Sequence, residues 1–331
     1  MKLSRLGEFG LIETIRRRTP KGRGVRIGIG DDAAAVTNRR DASLITADLL
    51  IENQHFDLRW TSLRDLGYKS LAVNLSDIAA MGGVADYVIL SLGIPPRLDS
   101  ADIDAFYRGF ATLGRECSVA LVGGDTNAAR ELIISVCVIG HALARPVKRR
   151  GARPGDDIYV TGTLGDSALG LKFLRRAKRT RGATNARART LVMRHHRPTP
   201  RLAAGALLAQ NGLATAMIDV SDGLVQDLGH ICRASGIGAT IHSDRLPLSV
   251  AYRALCGKDG IGKALSGGED YELLFCAHRR DRARVEKLSA RAGVGITRIG
   301  ACIAGEPRVA VLDASGKALP IRMSGHDHFK I

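Results

Sequence analysis

The residues best placed to do chemistry are aspartates set in glycine-bounded turns. Gly28-Ile29-Gly30-Asp31-Asp32-Ala33 puts two adjacent carboxylates where glycine lets the backbone come close to a ligand. Asp48 follows the apolar run Leu44-Ile45-Thr46, and Asp77 lies three residues after Asn74, so that the two share one face of a helix. Gly123-Gly124-Asp125-Thr126 and Asp219-Val220-Ser221-Asp222-Gly223 repeat the arrangement at two further strand ends. No His or Cys cluster accompanies them at zinc-like spacing. Hard oxygen donors from separate loops suit Mg²⁺, which keeps several waters and is shared with substrate phosphates. A single Asp-Gly pair is ordinarily just a turn. Six such carboxylates, each at a strand or helix edge, favour a polynuclear metal site.

Other motifs speak less clearly. Gly162-Thr163-Leu164-Gly165-Asp166-Ser167 follows an apolar run and opens a helix, a geometry able to place amides around a phosphate. It lacks the Gly-Lys-Ser/Thr ending of a Walker A loop, and helix–strand packing explains its glycines equally well. Ser266-Gly267-Gly268-Glu269-Asp270-Tyr271-Glu272 carries three carboxylates ahead of an apolar strand, which a charged turn also explains. Between Asp166 and Asp219 no acidic residue occurs, while eleven Lys or Arg fall between Lys172 and Arg201. An RNA-binding stripe has that signature, but Phe173 is the only Phe, Tyr or Trp there to stack on bases. A solvated helix pair near a phosphate site is preferred, and a nucleic-acid partner is not expected.

The elements that must carry these residues are mixed. β-branched runs recur at Ser43–Thr46, Tyr87–Leu92, Ile133–Ile139, Ile158–Thr161, Ala216–Val220 and Leu273–Cys276, with helical spacing between some of them, as at Leu63, Leu66, Leu71, Leu75 and Ile78. The strands cluster without steady βαβ alternation, so the fold class is α+β. A chain of 331 residues suits two domains. The Pro, Gly and basic stretch from Ala144 to Gly155 predicts the boundary, giving domains 1–147 and 148–331. Hydrophobic residues at 45% and charged residues at 25% exclude disorder. Apolar runs such as Leu132–Gly140 reach only half of the roughly 20 residues a membrane span needs. With no apolar core near Met1 and six scattered cysteines, a cytoplasmic protein with reduced thiols is expected. The formal charge of +16 points to anionic partners or to an arginine-rich proteome.

Taken together the motifs resemble the thiamine-monophosphate kinases of the aminoimidazole-ribonucleotide-synthetase-like superfamily. The matching runs are GIGDDAA (28–34), NLSDIAAMGG (74–83), GGDT (123–126), RRGARPGD (149–156), VTGTLGDSALGL (160–171), RHHRPTPR (194–201), IDVSDGL (218–224), SGGEDYELLF (266–275) and GHDHF (325–329), in the family's order across nearly the whole chain. The resemblance implies transfer of the γ-phosphate of ATP to thiamine monophosphate, directly in line, assisted by several Mg²⁺ ions and without a protein nucleophile. It implies metal ligation by Asp32, Thr46, Asp48, Asp77, Asp125, Asp219 and Asp222, with Asp31 beside them. It implies ATP contacts from Gly124, Arg149, Ser221 and Tyr107, and thiamine monophosphate contacts from His55, Glu269 and His326. It further implies a homodimer whose amino-terminal sheets form a barrel, with active sites near the interface.

Two positions depart from the family pattern. Ala47 stands where a Thr commonly precedes the metal-binding aspartate, and His326 stands where the closing motif usually has Trp or Tyr. An imidazole stacks on a ring with less area than an indole. Among relatives, selenophosphate synthetases need a reactive residue in an early loop, whereas no cysteine precedes Cys117. Hydrogenase-maturation relatives end in a cysteine-bearing tail that is absent from the His326–Ile331 end. The rival from another class is a catalytically idle phosphate- or RNA-binding protein, which has no physical need for the aspartates.

Overall fold

A computed structural model describes residues 25–27, 30–37, 42–177, 185–257 and 260–320 of the chain. His326 and residues 178–184 of the basic stretch lie outside the described residues. The first half builds a six-stranded sheet from β1 (Val25–Ile27), β2 (Ala34–Thr37), β3 (Ala42–Ile51), β4 (Gly83–Ile94), β5 (Ala120–Ala128) and β6 (Ile133–Ala142). Their order is β1-β2-β3-β6-β4-β5, and only β4 and β5 run parallel. That parallel pair is joined by helix α2 (Ser100–Glu116), the crossover such a connection requires.

Helix α1 (Leu63–Ala80) joins β3 to β4 and carries much of the first core. Ser62 caps it by accepting the Asp65 N–H at 3.1 Å. Of the predicted stripe, Leu66, Leu71, Leu75 and Ile78 are wholly buried, each contributing roughly 1.5–3 kcal/mol, while Leu63 in the first turn is half-buried. Burial extends beyond the stripe to Lys69 and Ser76, which face the second half, and to Asn74, which faces β3. Helices α1 and α2 meet through glycine: a Cβ on Gly67 would lie 2.0 Å from the Phe106 carbonyl oxygen, and one on Gly109 1.7 Å from that of Arg64.

The second sheet holds β7 (Asp157–Thr161), β8 (Ala214–Asp219), β9 (Gly238–His242), β10 (Leu273–Ala277), β11 (Ile296–Ile303) and β12 (Val309–Leu312), ordered β12-β9-β11-β7-β10-β8. Helices α3 (Asp166–Ala177), α4 (Ala186–His196), α5 (Leu202–Gln210), α6 (Leu224–Ser235), α7 (Val250–Leu255), α8 (Gly262–Ser266) and α9 (Arg282–Ala292) accompany it. The two halves share a core in which Ala79 and Ala80 of α1 pack with Leu208 of α5 and with Tyr159 and Phe275, whose rings stack at 5.2 Å. The fold is mixed α/β with two sheets. The first sheet is open, with β5 exposed along its length, and among the described residues it closes no barrel within one chain. No described helix is long and apolar enough to cross a membrane.

Candidate active site

A cavity of about 1250 Å³ opens where the two halves meet, and acidic side chains form its floor. Carboxylate oxygens of Asp32, Asp77 and Asp219 lie within 4.8 Å of one another. They arrive from the turn before β2, from α1 and from the end of β8. Each is oriented by a donor. Thr46 Oγ1 donates to Asp77 Oδ2 at 2.6 Å, and Ser76 Oγ donates to Asp219 Oδ2 at 2.6 Å. Arg149 grips Asp32 with two bonds, Nε to Oδ2 at 3.1 Å and Nη2 to Oδ1 at 3.0 Å, while its own N–H donates to Asp31 Oδ1 at 2.7 Å. Asp48 also lines the cavity, and its N–H donates to Asn74 Oδ1 at 3.0 Å. Thus one α1 face supplies Asn74 and Asp77, while the neighbouring Ser76 reaches across to the second half.

So many carboxylates in one buried place repel protons' departure. Burial lifts Asp48 to about 6. Burial and then Asp32 lift Asp219 to about 7, and burial followed by Asp48, Asp219 and Asp32 holds Asp77 well above the carboxylate range. Buried oxygen donors under mutual repulsion fit divalent cations of the hard class. The sign of the pH dependence follows. The folded, metal-free protein retains protons that the unfolded chain has released, so Asp48 and Asp219 cost no stability below about pH 4 and an increasing amount as pH rises through about 6 and 7. A cation removes that cost. Mg²⁺ should therefore raise the melting temperature more at about pH 8 than at about pH 6, in thermal melts run with Mg²⁺ and with chelator. An equal gain at both values would show that the buried carboxylates do not hold the ion.

The second half adds a wall. The loop after β8 and the loop before β10 are stitched together: the N–H groups of Glu269 and Tyr271 donate to Ser221 O at 2.7 Å and Val220 O at 2.9 Å. This brings Ser221, Asp222 and Glu269 to one side of the cavity. Glu269 and Tyr271 hold left-handed φ angles of 67° and 51°, a strain of roughly 1–2 kcal/mol each that the stitching maintains. Lys69, buried on α1, reaches Glu269 Oε1 at 2.7 Å, and His195 Nδ1 stands 3.3 Å from Oε2. Burial, then Lys69, pushes His195 down to about 3, so it is neutral there. His55 also lines the cavity, and its Nδ1 accepts the Ile51 N–H at 2.9 Å, leaving the ring proton on Nε2. At the start of α6, buried Asp227 accepts the N–H groups of Asp222 at 3.2 Å and Gly223 at 3.0 Å.

Three expected residues stand apart. Asp125 and Gly124 lie on β5 and Tyr107 on α2, outside the cavity wall. Asp48 pairs with Val136, Val136 with Leu90 and Leu90 with Gly124, so three strand spacings, about 14 Å, separate β5 from β3 at this level. Gly124 has a packing reason as well: a Cβ there would meet the Leu90 carbonyl oxygen at 1.8 Å. Tyr107 packs edge-on against Phe106 at 5.8 Å.

Two weaker sequence signals resolve into internal structure. The amides of Gly165 and Ser167 donate to buried Asp270 at 2.6 and 3.1 Å, so a side chain, not a phosphate, takes the start of α3. In the basic stretch, Arg194 and Arg201 bond Glu272, and Arg197 bonds Asp65 at 2.6 Å, which leaves less of a stripe for RNA. Sequence reasoning missed Lys69, Ser76, His195 and Asp227. Ser76 lies inside the NLSD string and His195 inside RHHRPTPR, but Lys69 and Asp227 carry no local signal.

Two family models divide the chain: AIR synthase related protein, N-terminal domain, matches residues 30–142, and AIR synthase related protein, C-terminal domain, matches 153–312. Thiamine-monophosphate kinase of Salmonella typhimurium is 40% identical over 329 residues, covering 98% of each chain. That of Bacillus subtilis is 34% identical over 328 residues, covering 98% of this chain and all of its own. Among solved structures, AaThiL complexed with AMPPCP and TMP matches with a TM-score of 0.86 at 35% identity, covering 99% of each chain. Hydrogenase maturation protein HypE in complex with ATP, at 17% identity and a TM-score of 0.71 over 89% of each chain, shares the fold alone. Two family models over most of the chain and near full-length matches at this identity show the family: the chain belongs to the AIR synthase related family and, within it, to the thiamine-monophosphate kinases.

Proposed function

We propose that the chain transfers the γ-phosphate of ATP directly, in line, to thiamine monophosphate, giving ADP and thiamine diphosphate. The observation that carries this reading is the acidic floor, where carboxylate oxygens of Asp32, Asp77 and Asp219 converge within 4.8 Å beneath a cavity large enough for two phosphorylated ligands. AaThiL, complexed with AMPPCP and TMP, supports the choice of ligands. Asp32, Thr46, Asp48, Asp77, Asp219 and Asp222 would hold Mg²⁺ ions, whose charge offsets the repulsion between donor and acceptor phosphates.

The protein's own groups align the reactants. Arg149 is fixed on Asp32 at the domain junction, and Ser221 lies on the adjoining wall; together they suit a nucleotide's phosphates. Glu269, held by Lys69, and His55, with Nε2 protonated, suit the acceptor. No side chain has to attack or be attacked, since each reacting oxygen belongs to a phosphate. The domain boundary near residue 147 falls between the two halves that share the cavity. The reading includes a homodimer. Leu121 at 44% and Val122 at 58% exposure on β5, with Tyr87 at 52% and Leu49 at 52% on the same sheet, leave an apolar sheet surface that a second copy would cover. Such a dimer gives Gly124, Asp125 and Tyr107 a route to an active site that they do not reach within their own chain. Six free thiols support a cytoplasmic setting.

The test is incubation with ATP, Mg²⁺ and thiamine monophosphate, followed by chromatography for thiamine diphosphate. Product that requires all three components is expected. ATP consumed only with another acceptor would overturn the substrate assignment. No ATP use with any phosphorylated acceptor, with salt-sensitive RNA binding, would favour the idle binding protein.

A further inference from the structure

The chain has one tryptophan, and that residue, Trp60, lines the cavity in the segment between β3 and α1, beside His55 and Phe56. The indole is half-buried. Its segment is firmly built: the N–H of Trp60 donates to Asp57 O at 3.2 Å, and buried Asp57 accepts Arg59 Nε at 2.7 Å on both carboxylate oxygens. The guanidinium of Arg59 lies over the Trp60 ring, 5.1 Å from its centroid. The face of this indole therefore already receives a cation, carried by a side chain that is 59% exposed and tied to Asp57.

The acceptor proposed above joins a phosphate to a planar heteroaromatic ring that carries a permanent positive charge. Its phosphate belongs at the acidic, metal-holding floor, so the ring must rest elsewhere on the wall. An indole is the best aromatic partner for a cation, and it pays little conformational entropy to offer its face. The closing motif, where the family resemblance has Trp or Tyr, carries His326 in this chain. We infer that Trp60 is the platform on which the cationic ring of the acceptor stacks, a specificity-determining contact of the kinase reaction. This inference rests on thiamine monophosphate being the acceptor.

Because Trp60 is the sole indole, its emission reports the contact directly. Titrating the intact protein with thiamine monophosphate should quench red-edge-excited emission saturably, with half-effect near the KM for the acceptor. Free thiamine, which has the same ring, should quench too, while inorganic phosphate and AMPPCP should not. Trp60→Leu should raise the KM for thiamine monophosphate about 10-fold and leave the KM for ATP within about twofold. Trp60→Phe should recover most of the loss, and it keeps the test available if the leucine variant folds poorly. Quenching by AMPPCP but not by thiamine would assign the indole to the nucleotide and overturn the inference. An unchanged acceptor KM in Trp60→Leu would overturn it as well. If wild-type protein makes thiamine diphosphate while its emission ignores the acceptor, the platform fails and the kinase reading stands. If it makes none, the reading itself fails and takes the platform with it.

Discussion

Asp77→Asn should lower turnover on the order of 10³-fold at saturating Mg²⁺, while the metal-free protein melts no lower than wild type. The two halves of that expectation have one cause. Asp77 is half-buried in the cavity wall, its carboxylate stands with those of Asp32 and Asp219 within 4.8 Å, and burial and three neighbouring carboxylates hold its proton well above the usual range. An asparagine keeps the oxygen that accepts from Thr46 Oγ1 and removes the charge. Repulsion is relieved in the metal-free state, and each kcal/mol recovered corresponds to roughly 2–4 °C in melting temperature. The same charge is what a divalent cation requires, so its loss is felt when phosphates must be neutralised. Asp48→Asn should behave alike, since burial raises it to about 6. Steady-state turnover and thermal melts in chelator check both. Activity within about tenfold of wild type would remove Asp77 from the metal set, and a melting temperature lower by several degrees would mark it as structural.

The acidic floor was legible in the chain because its signals are local. Gly30 before Asp31-Asp32, the apolar run before Asp48, and the spacing of Asn74 and Asp77 each state a turn, a strand end or a helix face within a few residues. What links these sites was not legible. Asn74 orients the Asp48 backbone rather than acting beside Asp77, a contact between elements 26 residues apart. Lys69 is buried because the second half brings Glu269 over α1, a contact between residues 200 positions apart. The basic stretch reads as a stripe because its carboxylates lie far along the chain, Asp65 before it and Glu272 after it. Asp125 ends three strands from Asp48 because β6 inserts between β3 and β4, an order that the sequence of elements does not reveal. Trp60 carried no motif at all, and only the cavity gives it a role.

Removing the charge of Glu272 should cost about 3 kcal/mol and lower the melting temperature by roughly 5–10 °C. Glu272 is fully buried at the foot of β10. Thr161 Oγ1 donates to its Oε2 at 2.7 Å, Arg194 Nη2 to Oε1 at 2.7 Å, and Arg201 to both oxygens at 2.6 and 2.5 Å. Three segments distant in sequence are therefore held by one carboxylate. Glu272→Gln keeps the shape but leaves two mostly buried guanidinium groups facing an amide that cannot neutralise them. Because the side chains of Arg194 and Arg201 keep 23% and 15% exposure, water recovers part of that cost, which places the expectation at the low end for a broken buried pair. Glycine at 162 belongs to the same joint: its φ is 56°, and a Cβ there would stand 2.1 Å from Glu272 Oε1. Gly162→Ala should thus destabilise in the same direction through a different atom, by displacing the carboxylate instead of neutralising it. Since Glu272 follows Glu269 by three residues, both variants should also loosen the strained acceptor loop, raising the KM for thiamine monophosphate more than that for ATP. A melting shift below about 1 °C in Glu272→Gln would mean that the arginines find other partners and that the joint is not what holds the loop.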